Sequence, residues 1–144
     1  MPKSTSASNS ILALIFNATT WNLIAENDSS SPATNLYLSL HTADPGVGGS
    51  QTTNETSYTN YARVAVARTT GGWDVPSGGA TANAALVQFA QCGASGATLT
   101  HVAIGTDSSG TGLVLYAGAL TSSLAVANGI QPQFAAGALD ISEG

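Results

Sequence analysis

The sequence predicts an all-β fold: an antiparallel β-sandwich or jelly roll preceded by a short N-terminal helix. Short runs of alternating apolar and polar residues recur along most of the chain, as half-buried strands require. Turn chemistry separates them at Asp44-Pro45-Gly46, Pro76-Ser77-Gly78-Gly79, Asp107-Ser108-Ser109-Gly110 and Asn128-Gly129. After residue 24 no stretch carries a helical period.

Residues 1–10, MPKSTSASNS, are small and polar and read as a flexible arm. Ser8, Asn9 or Ser10 can cap a helix over 9–18, with Ile11, Leu14 and Ile15 on one face. Trp21, Leu23 and Ile24 suggest a turn packed on the sheet, and 26–34 a loop. The sandwich is expected over 35–141, in a single domain spanning 1–144. Its first strand, 35–41, sends Leu36, Leu38 and Leu40 to one face and Tyr37, Ser39 and His41 to the other. A second strand is expected over 61–69, where Val64 and Val66 mark the core side. Between the two lies a long polar segment with no hydrophobic period, read as an exposed loop dispensable for folding. Further strands are expected at 84–90, 98–105 and 112–120. Leu124-Ala125-Val126 then leads to a tight type I′ turn at Asn128-Gly129, and a last run holds Phe134, Leu139 and Ile141.

Composition narrows the function classes. Charged residues make up 8% of the chain, against about 25% in ordinary soluble proteins. The net charge is −5, and Lys3, Arg63 and Arg68 are the three cations. A phosphate-binding surface needs more cations than this, so no nucleic acid and no anionic membrane is expected as a partner. No apolar run reaches the roughly 18 residues of a membrane span, and Ile11–Phe16 is too short for a signal-peptide core. A weakly charged, Ser/Thr/Asn-rich surface suits lasting contact with other proteins.

Candidate chemistry is sparse. His41 and His101 sit in no metal-ligand spacing, and the acids are scattered singly through loops. Cys92 has no neighbouring base in sequence and reads as a buried thiol. Gly46-Val47-Gly48-Gly49 lacks the strand-turn-helix order of a phosphate cradle. No catalytic, cofactor or metal site is therefore expected, and no enzyme. Tyr58, Tyr61 and Trp73 read as rings sealing a sheet edge or interface, or as a carbohydrate platform. Arg63 and Arg68, five residues apart, should point to opposite faces: Arg68 toward solvent or an acid (Asp44, Glu55 or Asp74), Arg63 free to meet a partner subunit. The candidate interaction residues are His41, Asp44, Tyr58, Tyr61, Arg63 and Trp73.

The stretches LYLSLHTADPG, GSQTTNE, YTNYARVAVAR and GW, with THVAIGT, LYAGAL and NGIQPQF further on, carry a resemblance. Over residues 36–141 the chain resembles a family of small tailed-bacteriophage virion proteins, many of them labelled tail fibre proteins. It is also similar to the jelly-roll cement or decoration proteins of phage capsids. The resemblance implies a virion structural protein. The first expectation is a capsid cement protein on the outer capsid surface, binding the major capsid protein and itself as a dimer or trimer. The alternative is a tail or tail fibre component that recognises the host surface.

Overall fold

Small polar residues, not the apolar run, start the helix. In the computed structural model, which describes residues 3–21, 24–25 and 32–144, helix α1 runs Thr5–Phe16. Ser4 is its N-cap, with Oγ accepting from the Ala7 amide at 3.2 Å. The helix therefore begins well before the expected 9–18, and the described part of the expected arm is helical or paired: Lys3 forms an ion pair with Glu143. Ser8, Leu12 and Phe16, four residues apart, form its buried stripe. Asn17 caps the C-terminus, and Ala18 takes the left-handed conformation that turns the chain out (φ 52°).

The strands are β1 (Asn35–His41), β2 (Val64–Ala67), β3 (Ala80–Ala82), β4 (Val87–Gln88), β5 (Ala97–Gly105), β6 (Val114–Val126), β7 (Gln133–Phe134) and β8 (Asp140–Ser142). They form one four-stranded sheet in the order β2-β1-β5-β6 and two two-stranded ladders, β3-β8 and β4-β7. The fold class is the one expected: mostly β, with antiparallel pairing and a single short helix among the described residues.

Contacts group the chain into two interleaved compact units. One takes in the described residues of Met1–Asn35 with Ala67–Val87 and Phe134–Gly144. Its core holds Leu12, Phe16, Trp73, Leu139 and Ile141, and α1 packs on β3. Phe16 and Trp73 meet edge to face, centroids 4.7 Å apart. Asn83, fully buried, ties three segments: its Nδ2 donates to the Ala85 and Ala135 carbonyls and its Oδ1 accepts from the Leu139 amide.

The other unit comprises Leu36–Val66 and Gln88–Gln133. Leu36, Leu38 and Leu40 of β1 are buried as alternation requires, with Val66, Phe89, Leu99 and Ile104 also in this core. β1 pairs antiparallel with β5, Leu38 opposite Ile104 and His41 opposite His101. β5 pairs with β6, joining the expected 112–120 strand to Leu124–Val126 through a bulge in which Leu120–Ser123 stand opposite Thr100 alone.

Several expectations change here. The second strand is shorter than 61–69, because Tyr61 and Arg63 leave the ladder for a polar cluster. At Asn128-Gly129 only Gly129 has positive φ (88°), so the turn is not type I′, and β7 pairs with β4 rather than β6. Trp21 and Ala25 form a tight bridge, but Ile24 is exposed. Leu23 and most of the expected 26–34 loop lie outside the described residues.

The largest change is the 42–60 segment. It folds back along β1: the Thr42 amide donates to the Asn54 carbonyl (2.9 Å) and the Thr56 amide to the Leu40 carbonyl (2.9 Å). Ser39 and His41, expected on an open face, are buried, and Gln51 and Thr56 are buried too. Pro45, Gln51, Thr56 and Tyr58 of the segment are buried, while Thr42–Asp44, Gly46–Gly48 and, further on, Thr52, Asn54, Ser57, Thr59 and Asn60 stay exposed.

Candidate functional site

Polar side chains carry the segment that hydrophobicity left unassigned. Gln51, wholly buried, donates from Nε2 to the Tyr37 carbonyl (3.2 Å) and accepts at Oε1 from the Asp107 amide (2.9 Å). The room for it is made by glycine. A Cβ on Gly105 would lie 2.2 Å from Gln51 Cδ and 2.5 Å from the Leu113 carbonyl oxygen, and one on Gly112 would lie 2.1 Å from Gln51 Oε1.

Arg63 forms the second tie. Its Nε and Nη2 donate to the two oxygens of Glu55 at 2.7 and 2.8 Å. Nη1 reaches the Asp107 carbonyl (2.9 Å) and Nη2 also the Gly110 carbonyl (2.7 Å). Its side chain is 3% exposed. The hydrogen bonds to Glu55 hold the guanidinium above its usual pKa against the opposing effect of burial. Tyr61 joins by donating to Glu55 (2.8 Å) and accepting from the Leu40 amide (3.1 Å); burial pushes its phenol up. Arg63, expected to be free for a partner, is thus committed within its own unit.

Arg68 has no acid partner among the described residues. Its Nε, Nη2 and Nη1 donate to the carbonyls of Ile15, Leu14 and Ala33, each at 2.6 Å. Two of these carbonyls belong to the last turn of α1, where the helix dipole favours a cation. Asp44, Glu55 and Asp74, its expected acid partners, are elsewhere: Glu55 holds Arg63, and Asp44 Oδ1 accepts from the Gly46 amide (2.8 Å). All three cations are therefore occupied within the chain.

His41 comes closest to reactive geometry. Its Nδ1 donates to the Thr53 carbonyl (2.9 Å), so the neutral ring accepts at Nε2 from Ser39 Oγ (2.8 Å). A Ser-His contact resembles an activated nucleophile. Both side chains are fully buried, however, and the group orienting the ring is a carbonyl, not a carboxylate. Burial lowers the His41 pKa, keeping the ring neutral. The His41–Thr53 hydrogen bond fastens the folded-back segment to β1, and Ser39 holds the ring in place for it.

The other candidates also face inward. Tyr58 is buried and donates to the Ala90 carbonyl (2.9 Å), edge to face with Tyr61; Tyr61 stacks on Phe89. Trp73 is wholly buried. Of the six candidates, Asp44 alone is exposed. His41, Tyr61 and Arg63 come together around Glu55 and the folded-back segment; Trp73 belongs to the other unit's core.

One open groove lies wholly within the first unit. It has a volume of about 310 Å³ and lies between α1 and the 70–76 segment. Ser6, Asn9, Ser10 and Ala13 line one side, with the capping Asn17, and Thr70, Val75 and Pro76 the other. Sequence reasoning missed it because Ser6 fell in the expected arm, Ala13 and Asn17 in the expected helix over 9–18, and the 70–76 side in a turn far along the chain. The signal was there: Ser6, Ser10, Ala13 and Asn17 recur at helical spacing as small or polar residues opposite the apolar stripe.

No helix among the described residues is long and apolar enough to cross a membrane, and no cluster of metal-binding side chains occurs among them. No curated protein matches the chain. The profile of a phage protein family, described as podophage GP4 fiber I protein gp80, matches residues 2–142. The match covers nearly the whole sequence, and the chain belongs to this family of phage fibre proteins.

Proposed function

We propose that this protein is a component of a phage tail fibre and takes part in recognising the host surface. The family match from residue 2 to 142 carries the reading. The arrangement of side chains supports it. The three cations and His41 are spent on holding segments in place, leaving a fixed framework with an uncharged polar groove. Such a framework suits binding: among the described residues the groups nearest to reactive geometry, Ser39 and His41, are buried.

A second reading is a capsid cement protein that binds the major capsid protein as a dimer or trimer on the outer capsid surface. Its support is the chain's low charge content and its net charge of −5, which suit permanent packing outside a DNA-filled shell. The family description favours the fibre.

Quantitative densitometry of purified virions separates the two. A fibre component is expected at low copy number, a small multiple of the tail symmetry. A copy number that tracks the major capsid protein would overturn the fibre reading in favour of cement.

A further inference from the structure

We propose that the groove between α1 and the 70–76 segment binds a neutral carbohydrate. The proposal rests on the host-recognition reading and names the ligand class it would use.

The lining has the chemistry of a sugar site. Ser6, Ser10, Thr19 and Thr70, which carry hydroxyls, and Asn9 and Asn17, which carry amides, line the groove, and no charged residue lines it. Sugar hydroxyls both donate and accept, and neutral hydroxyl and amide groups answer both needs. A phosphate or carboxylate ligand would find no countercharge, since Lys3, Arg63 and Arg68 are all engaged elsewhere.

The two asparagines are held so that each offers its other half. Asn9 Oδ1 accepts from the Gly79 amide at 2.6 Å, which fixes the amide orientation and leaves Nδ2 to donate. Asn17 Nδ2 donates to the Trp73 carbonyl at 3.2 Å, which leaves Oδ1 to accept. One donor and one acceptor are thus presented in fixed positions, without the entropy cost of ordering free side chains on binding. Val75 and Pro76 add an apolar surface on which the C–H face of a pyranose can lie, and Val75 is exposed. The walls are anchored by the Phe16–Trp73 contact and by Arg68 at the end of α1.

The volume of about 310 Å³ lies at the lower end of small-molecule sites, enough for a mono- or disaccharide. A single shallow site of this kind binds weakly, and a fibre carrying several copies gains strength by multivalency.

The test is an amide NMR titration of the full chain with maltotriose, chitotriose, a mannotriose and a rhamnose trisaccharide, and with a sialylated trisaccharide as the anionic control. Saturable shifts at Asn9, Asn17 and Thr70 with at least one neutral sugar, and none with the sialylated one, are expected. Ala13→Gln fills the groove with a helix-compatible side chain and should weaken that binding by about tenfold or more. Should Ala13→Gln fail to fold, the double variant Ser6→Ala/Thr70→Ala removes two hydroxyls from exposed positions and should weaken it in the same direction. No shift with any neutral sugar, shifts at other residues, or unchanged binding by the variants would overturn the proposal. Competition separates this site from the wider reading: parent and variant chains are added to host cells before phage. If both block adsorption equally, host recognition stands and the groove is not its site. If neither blocks while the titration still shows binding, the sugar site stands and host recognition falls.

Discussion

Arg63 and Glu55 form a two-pronged ion pair, Nε to Oε1 at 2.7 Å and Nη2 to Oε2 at 2.8 Å, with the arginine side chain almost wholly enclosed. The same guanidinium reaches the carbonyls of Asp107 and Gly110, so one side chain holds two separate loops. Removing one partner leaves a buried charge uncompensated. Arg63→Ala should therefore lose about 3 kcal/mol of unfolding free energy, and Arg63→Lys most of that, because an ammonium cannot reproduce the planar fork. Urea denaturation measures both. A variant as stable as the parent, but impaired in self-association, would return Arg63 to the interface role its charge suggests.

Arg68 acts on a different part of the chain. Arg68→Ala frees the Leu14, Ile15 and Ala33 carbonyls together, an expected cost of about 2 kcal/mol. The loss should be local. Amide exchange of α1 should quicken while that of β1 and β5 stays slow. Uniform acceleration across the chain would show that the helix end does not open separately.

The folded-back segment should prove essential for folding. Deleting residues 44–57 removes Gln51, Glu55 and Thr56 and uncovers Ser39 and His41. Such a chain should show no cooperative thermal transition. Gln51→Ala orphans the Tyr37 carbonyl and the Asp107 amide and should cost about 2–4 kcal/mol, from two unsatisfied groups. Gly105→Ala should be comparably harmful, because its Cβ would meet the Leu113 carbonyl oxygen. Normal melting of the deletion variant would mean that the segment is an ornament after all.

His41 makes stability depend on pH. Burial lowers its folded pKa below the 6.5 of a free histidine, an effect larger than the opposing ones of the Thr53 carbonyl and Glu55. The unfolded chain then binds the proton more readily than the folded one. This contribution is fully present above pH 6.5 and is lost as pH falls from 6.5 toward the folded pKa, with a slope approaching about 1.4 kcal/mol per pH unit. Chemical denaturation at a series of pH values reads this slope. A stability flat from about pH 7 to about pH 5 would mean that the imidazole is accessible to protons.

The division between what was legible in the chain and what was not follows physical range. Alternation in Leu36-Tyr37-Leu38-Ser39-Leu40 marked β1 and its apolar face, because strand periodicity is a local property that burial acts on directly. The same logic marked β5, the two halves of β6 and the core side of Val66. The motifs from Leu36 onward carried the resemblance to phage virion proteins, and the family match bears it out. The start of α1 was missed because Ser4 caps a helix whose first turns are polar, and a capping hydroxyl leaves no hydrophobic signal. Gln51 and Glu55 were missed for a related reason: a buried polar side chain is recognisable only by its partners, and theirs lie on other segments. Tertiary structure alone decided that the 42–60 segment folds against β1, that both arginines are tethers, and that Ser6, Asn9, Ser10 and Asn17 line a groove. Each depends on hydrogen bonds or packing between residues far apart in sequence, which no local pattern can encode.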